Sequence, residues 1–488
     1  MPSVQKKKKW PDSWRTDYAF QEYTTLKRMR LQVEDCLQGQ YHIKSKGGEY
    51  LPKTHWFETH PCEYNAYVQR ATFYGETGYA MRIYEGLVKA GSPEILLPSD
   101  GRMDFLRNMA TVYKLGLHSL QTRVNRDQIA AGLRIMLVEP TLDDVNPFVI
   151  KEYAAWCFLR AHFINIDGES VCKCVLMDES TEEFNLTTKK VEEVERVRVF
   201  GLDSDGYYYQ CPMTPDAWLK FDVDHPTVGG YQPVYPRHKG VRMKRIPMTW
   251  CGASSLSAVS MDIPYLLDMS DLDLKLYNLD ANYAQHLYQS SQETVFFTHA
   301  PGDFNLDNIY YGSGAHNALP GDMDVKVVSV NGIGFSEQRE YMNAVREQIA
   351  QRRMSLLSSK SHTASASVGL VQAAQTSPLR TVVLTSGEAI TEQLRYIAKW
   401  MQYDDKEILK IQYTPSNEFA KIDTDLTSFV ALCKAVHEGS VPMLESDLYR
   451  FAKECGFINS GVSWEDFKKQ HKIEMQERTD ALAIPPTA

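Results

Sequence analysis

Long apolar runs are missing from this 488-residue sequence. Nothing in it approaches the roughly 20 consecutive apolar residues that a membrane-spanning helix needs. The most apolar window, Tyr153–Ile164, is short and carries Arg160. Lys6–Lys9 is not followed by an apolar stretch, so no signal peptide is expected. The nine cysteines are dispersed, and the only close pair is Cys172-Lys173-Cys174. No CxxC pair or histidine partner stands at zinc spacing, so reduced thiols in a cytoplasmically assembled protein are expected. Alternation along a strand places Cys172 and Cys174 on one face. GxSxG, HExxH and P-loop lysine motifs are absent. Positive charge is missing from one whole region. Between Leu276 and Val325 there is no Lys or Arg, while Asp280, Glu293, Asp303, Asp307, Asp322 and Asp324 all fall there. The net charge of −9 argues against a protein that grips nucleic acid over its whole surface.

What is present is ordinary globular material, 43% hydrophobic and 24% charged, in a length that suits about three modules. Residues 60–132 read mainly as helix: Tyr64, Tyr67, Ala71 and Tyr74 recur at helical spacing, as do Ile83, Leu87 and Val88. Arg134–Val138 is a short apolar strand, and Asn146-Pro147 is expected to open a further helix, because proline suits a first turn. Residues 160–250 are β-rich. Asp167-Gly168 and Asp205-Gly206 lie between alternating runs, a strong hairpin signal. Asp222–Gly240, where Pro and Gly cluster, reads as a loop.

Helix returns at Pro264–Gln292, with Tyr265, Met269, Leu272, Leu276, Leu279, Tyr283 and Leu287 three or four apart. Residues 295–330 are β again. A second helix spans Ser336 to Leu356, with Met342, Val345, Ile349 and Leu356 on one stripe and Ser336 as its expected cap. The Ser/Ala/Thr-rich stretch Ser358–Ser377 reads as a loop, and Pro378 stands near the start of a long helix to Tyr403. A strand around Ile408–Tyr413 and short helices near Leu426–His437, Leu444–Glu454 and Ser463–Gln476 complete the chain.

Enzyme-like features are few. Val325–Val330 followed by Asn331-Gly332-Ile333-Gly334 and a helix resembles a dinucleotide turn, but the third glycine position is Glu337, whose charge would repel a phosphate. A tight strand-to-helix turn is the simpler reading. His299, Asp303 and His316 match no standard metal spacing. The charge pattern is more informative. The second helix carries Arg339, Arg346, Arg352 and Arg353, none with an acid three or four residues away. Their partners therefore lie elsewhere. The acids of the preceding helix (Asp268, Asp271, Asp273, Asp280) and phosphate are both candidates, and a merely solvated helix face is the third reading.

Three passages carry a resemblance to a known family. The first is Glu34-Asp35-Cys36-Leu37-Gln38-Gly39 through Tyr50-Leu51-Pro52, then Glu63-Tyr64-Asn65-Ala66-Tyr67 and Arg70-Ala71-Thr72-Phe73-Tyr74. The second is Ile246-Pro247-Met248 leading to Leu266–Leu272, Tyr277 and Tyr283. The third runs from Tyr310-Tyr311-Gly312-Ser313-Gly314 through Leu319-Pro320 and Gly332-Ile333-Gly334 to Met354–Leu357. In order and spacing, from about residue 25 to about 475, the chain resembles the portal (head-to-tail connector) proteins of tailed bacteriophages.

The resemblance implies an α+β subunit of a mushroom-shaped ring of about twelve copies. It divides the chain into a wing (1–263, helical then β-rich), stem helices at 264–293 and 336–357, and a small β clip at 294–335. A tunnel loop (358–377), a long wing helix (378–403) and a helical crown (404–488) follow. It further implies a non-enzymatic role at one capsid vertex of the virion, after assembly in the host cytoplasm: a channel for DNA packaging and ejection. The ring docks the terminase large subunit and then the head–tail adaptor, sits among major capsid protein and scaffold, and passes double-stranded DNA, with no cofactor and no membrane. Under that reading Lys360, Ser361, His362 and Thr363 face the DNA, and Arg339, Arg346, Arg352 and Arg353 are the stem charges. Asp303, Phe304, Asp307, Tyr310 and Tyr311 form the docking face of the clip. Another virion ring protein, such as a head–tail adaptor, shares the acidic, motif-free character, and an enzyme without a familiar motif is the third class.

Overall fold

The computed structural model describes residues 19–20, 22–89, 91–166, 168–256, 262–291, 294–298, 324–328, 334–357 and 367–416, together with Arg15 and scattered positions between 434 and 472. For 294–297, 325, 327–328, 353–357 and 367–378 the description is of backbone only. Helices α1 (Tyr23–Leu37), α2 (Gln40–Lys46), α3 (Pro61–Arg70) and α4 (Glu76–Val88) come first. Strand β1 (Glu94–Leu96) and helix α5 (Leu117–Ala131) follow. Strands β2 (Leu133–Pro140) and β3 (Phe148–Ala154) pair antiparallel. Next come β4 (Phe158–Ile166), β5 (Glu169–Asp178), the hairpin β6 (Thr181–Asn185)–β7 (Lys190–Val194), β8 (Val197–Leu202) and β9 (Tyr208–Met213). A short hairpin joins β10 (Arg237–His238) and β11 (Val241–Arg242), and β12 (Met248–Gly252) returns to pair with β2. The result is a three-stranded sheet, β12-β2-β3, beside a four-stranded sheet, β4-β5-β8-β9. After them come α6 (Leu267–Ser290), β13 (Thr294–Thr298), β14 (Asp324–Val328), α7 (Phe335–Leu357), α8 (Ser367–Trp400) and β15 (Gln412–Thr414), which pairs with β1. Every ladder is antiparallel, and helices and sheets are segregated, which is the α+β class.

Both Asp-Gly hairpins form as expected. Gly168 and Gly206 take φ values of 86° and 77°, the left-handed region that glycine enters without steric cost. The four-stranded sheet is covered on both faces. Along β5, Cys174 and Leu176 point into one core, while Val175 and Met177 point into the other. Cys172 breaks the expected alternation. His162 pairs with Cys174 and Phe163 with Cys172, so Lys173 is an extra, bulged residue. The bulge turns Cys172 toward the core of Val175 and leaves Cys174 on the opposite face. The two thiols do not share a face.

Asn146-Pro147 does not open a helix. Thr141 donates its N–H to the Pro147 carbonyl at 2.8 Å, closing the β2–β3 connection, and Phe148 and Ile150 then alternate into the core. Proline is tolerated before a strand because no ladder bond is asked of it there. The long helix also differs from expectation. It starts at Ser367, so residues 367–377 are helical and Pro378 lies inside α8. An interior proline costs about 3 kcal/mol. Leu379, Val382 and Val383 immediately after it are buried, each contributing about 1.5–3 kcal/mol, and together they outweigh the lost hydrogen bond. The strand expected around Ile408–Tyr413 is a short helix, Asp405–Ile408, followed by Gln412–Thr414. Of the three expected C-terminal helices, the described positions Lys434, Ser446, Tyr449, Ala452, Trp464, Glu465, Phe467, Lys468, Lys469 and Lys472 are helical, and the remainder lie outside the described residues.

Two cores meet along α8. Its first half packs Leu379, Val382 and Val383 with α4, α6 and α7. Its second half packs Ala389, Ile390, Leu394, Ile397 and Trp400 against the sheets. Arg30 of α1, 1% exposed, ties the helical layer to the sheets. Its guanidinium donates to the Ala131 carbonyl at 2.7 Å, at the C-terminus of α5 where carbonyls lack helical partners. Burial lowers its pKa to about 10, so it stays charged at neutral pH.

Gly132 turns the chain from α5 into β2 with φ 74°, and a Cβ there would come within 2.3 Å of the Asp262 carbonyl oxygen. Gly132→Ala is therefore expected to lower stability by about 2–4 kcal/mol, combining left-handed strain with overpacking. Denaturant unfolding with an unchanged m-value checks it; a loss under about 0.5 kcal/mol would show that the α5–β2 turn relaxes freely.

Candidate assembly surface

Helix α6 is buried on two sides. Met269 and Leu276 enter the core formed with Met342, Val345 and Ile349 of α7, and Leu272, Leu279 and Tyr283 flank them. Of the expected stripe, Tyr265 and Leu287 remain exposed. The other side presents Asp273, Tyr277, Asp280 and Ala281 to the N-terminal helices. Tyr277 packs edge-on against Phe73, ring centroids 6.0 Å apart.

The two carboxylates on that side take their donors from within the chain, on both oxygens of Asp280 and on Oδ2 of Asp273, whose buried Oδ1 has no hydrogen bond among the described residues. Asp273 accepts from the Thr77 backbone N–H and hydroxyl, both at 3.0 Å. Thr77 lies in the first turn of α4, whose free amides attract an anion. Asp280, two turns later, accepts from the Thr72 N–H at 2.7 Å and the Tyr74 hydroxyl at 2.9 Å. Both therefore clamp the α3–α4 connection onto α6 and are buried away from the arginines of α7. This corrects the sequence reading of these acids as counter-charges for the arginine helix.

The remaining charges lie on the rim. Arg352 forms an ion pair with Asp268, bringing one arginine to the acidic helix as expected. Both side chains are at least half exposed, so the pair is worth about 0–1 kcal/mol. Arg346 donates to the Tyr74 hydroxyl at 2.8 Å and to Asn343 at 3.1 Å, and its guanidinium lies 5.0 Å from the Tyr74 ring centroid. Arg346, Tyr74 and Asp280 thus form a chain from α7 to α6. Asp271 accepts from Gln32 at 2.6 Å. Arg339 is exposed and has no partner among the described residues. The side chain of Arg353 lies outside the description, as do Asp303, Phe304, Asp307, Tyr310, Tyr311, Lys360, Ser361, His362 and Thr363, and the metal candidates His299 and His316. Ser336 is not a cap: the helix begins at Phe335, and its hydroxyl donates to Glu337 at 3.0 Å.

α6 and α7 run antiparallel, with Asp268 beside Arg352 at one end and Tyr283 against Phe335, 6.2 Å between centroids, at the other. The strands continue the pairing, Thr294 opposite Val328 and Thr298 opposite Asp324. Among the described residues, helix pairs with helix and strand with strand, both antiparallel. β14 pairs antiparallel with β13 and, among the described residues, with no parallel strand, whereas a dinucleotide turn requires a parallel βαβ unit. α3 follows α6 as far as Arg70, whose guanidinium lies 4.1 Å from the Tyr288 ring centroid, and at that end Leu287 and Tyr341 are 43% and 47% exposed. Thr72 and Tyr74 stand in a passage that carries the resemblance, but nothing in the sequence ties them or Thr77 to acids about two hundred residues away.

The family described as Domain of unknown function (DUF4055) matches residues 265–401, which is α6 through α8 and less than a third of the chain. No curated protein matches. The chain is similar to a chain from the virion of a native gene transfer agent (GTA) particle: 11% identity, 76% of this chain and 86% of that chain covered, TM-score 0.38. It is also similar to a chain from the neck of an empty GTA particle: 12% identity, 78% and 90% covered, TM-score 0.34. Both TM-scores are below the level at which two chains share a fold. Among the described residues no helix is long and apolar enough to cross a membrane, and no cluster of His, Cys, Asp and Glu has the geometry to hold a metal ion.

Burial raises the Asp273 carboxyl to about 6, against the lowering effect of its Thr77 hydrogen bonds, and Glu76 nearby adds to the rise. Its folded pKa therefore exceeds its unfolded value of about 3.9, so the folded protein holds the proton more tightly. That contribution to stability is complete below pH ~4 and is lost as pH rises through about 6. Asp273→Asn keeps an acceptor for Thr77 and removes the ionisation. The variant is expected to lose about 1–2 kcal/mol less than wild type between about pH 5 and pH 8. Parallel thermal-melt profiles for the two proteins would contradict the assignment.

Proposed function

We propose that this chain is the subunit of a bacteriophage portal, a ring-shaped channel at one capsid vertex through which DNA is packaged and ejected. The observation that carries the reading is the α6–β13–β14–α7 excursion. Two antiparallel helices of more than twenty residues lead from a large α+β body toward an antiparallel pair of strands, with Leu287 and Tyr341 exposed at the strand end. A lone chain gains nothing from projecting such a unit. Copies arranged side by side cover it and line a channel with it, and head-to-tail contacts that close generate a ring. The sequence resemblance supports the same division: the excursion is stem and clip, the sheets and N-terminal helices are the wing, and α8 leads back into the wing.

The role is mechanical, with no chemical step and no cofactor. The terminase large subunit supplies the work of packaging, and a head–tail adaptor later takes its place on the clip, where Asp303, Phe304, Asp307, Tyr310 and Tyr311 stand. Capsid and scaffold proteins surround the wing. Lys360, Ser361, His362 and Thr363, between α7 and α8, face the DNA. Few cations suit that position, since each phosphate contact adds affinity and a loop rich in lysine would hold the polyanion instead of passing it.

Negative-stain microscopy of the purified protein tests the proposal: rings with a central hole are expected, and a compact monomer at all concentrations overturns it. Replacing Tyr310 and Tyr311 together by alanine is expected to leave rings intact while weakening terminase or adaptor binding about ten-fold or more. Loss of the rings instead would assign those tyrosines to the subunit's own packing.

A further inference from the structure

The four-stranded sheet ends in a strand whose outer side is open among the described residues. β4 is its outer strand, paired with β5 and, among the described residues, with no second strand. An edge strand presents unpaired N–H and C=O groups, which proteins ordinarily cover or blunt. Only the start of β4 is covered here: Phe20 donates its N–H to the Leu159 carbonyl at 3.0 Å, and Arg160 donates to the Ala19 carbonyl at 2.9 Å. Among the described residues, this pairing of 19–20 with β4 comprises one ladder bond. Beyond it His162, Asn165 and Ile166 are exposed, and Ile166 is 47% exposed.

A cleft of about 630 Å³ opens beside this edge, on the face that carries Cys174 and Leu176. The segment containing Trp218, Phe221, Tyr231 and Tyr235 covers the β8–β9 side of that face, and its rim toward β4 is Trp218 and Val223. The floor is apolar, with Ile164 and Leu176. Arg160, His162 and Lys173 stand around it. Asp224 is the one acid among the described lining residues, and it is engaged by Lys173 at 2.7 Å, which leaves Arg160, bonded to the neutral Ala19 carbonyl, without an acid among the described residues. The size is that of sites which enclose a peptide segment or small ligand.

We infer that the open edge of β4 and this cleft form a docking site for an extended segment of a partner protein, one that alternates apolar and acidic side chains. The backbone of the segment continues the sheet beyond Phe20. Alternate side chains of an added strand fall on the cleft face, so apolar ones fill the space over Ile164 and Leu176 and an acidic one meets Arg160. Charge decides the occupant. The chain's own basic tract, Lys6–Lys9, has the wrong sign for a cleft rimmed by arginine and lysine. The site stands on the sheet alone and does not depend on the ring proposed above.

The test uses purified full-length protein and a short fluorescein-labelled peptide alternating valine and aspartate, read by fluorescence polarisation. Three controls accompany it: a valine–lysine peptide, the valine–aspartate peptide N-methylated at alternate backbone nitrogens, and the Arg160→Gln and Arg160→Glu proteins. The valine–aspartate peptide is expected to bind, the valine–lysine peptide not to bind, and N-methylation to abolish binding. Arg160→Glu is expected to weaken binding about ten-fold or more, with Arg160→Gln intermediate and both melting like wild type. Amides of β4 are expected to gain hydrogen-exchange protection when the peptide is present. No binding to the wild-type protein, binding indifferent to N-methylation or to the charge at Arg160, or a change of oligomeric state in Arg160→Glu would each overturn the proposal, the last by assigning the edge to a second copy of this chain.

Discussion

Helix α6 has two cores to serve, and much of the architecture follows from how it does so. One side of it is apolar in the ordinary way and packs on α7 and α8. The other mixes Tyr277 and Ala281 with two aspartates that are almost fully buried. A buried carboxylate costs several kcal/mol unless donors replace its water. Here the donors are backbone amides at Thr72 and Thr77 and the hydroxyls of Tyr74 and Thr77. The aspartates are seven residues apart, two helical turns, and so both reach the same stretch of chain. Sliding α6 by a turn would strip both at once. The arrangement sets the register of the projecting helix against the body, and it does so with groups that leave only Asp268 and Asp271 for the rim.

The helix α8 makes the second long-range connection. It spends its first half in the core of α6 and α7 and its second half on the sheets. Buried polar groups fasten that second half: Gln393 donates to the Thr249 hydroxyl on β12 at 2.6 Å, and the Thr391 hydroxyl accepts from the Tyr413 N–H at 3.0 Å. Gly387 lets β15 cross closely, since a Cβ there would come within 2.6 Å of Pro415. In the proposed portal, a load on the segment before α8 reaches both cores through one continuous helix, without a flexible joint among the described residues.

The sequence by itself determined the local elements, because their causes are local. Asp-Gly between alternating runs can close a hairpin wherever it stands, and three-to-four spacing of apolar residues writes a helix whatever it packs against. The long stretch that is free of cations and rich in acids, and the layout of helix, small β unit and helix, were legible for the same reason. Tertiary structure decided whatever depends on a distant partner. Lys173 became a bulge because β4 pairs on either side of it, which sent Cys172 and Cys174 to opposite faces. Pro147 took a strand entrance because Phe148 and Ile150 had a core to enter. Pro378 stayed in a helix because the apolar residues after it are buried. Asp273 and Asp280 look, in the sequence, like two more charges on an acidic helix. Only the fold brings Thr72, Tyr74 and Thr77 to them, and hydrogen bonding across some two hundred residues leaves no pattern in the chain that makes it.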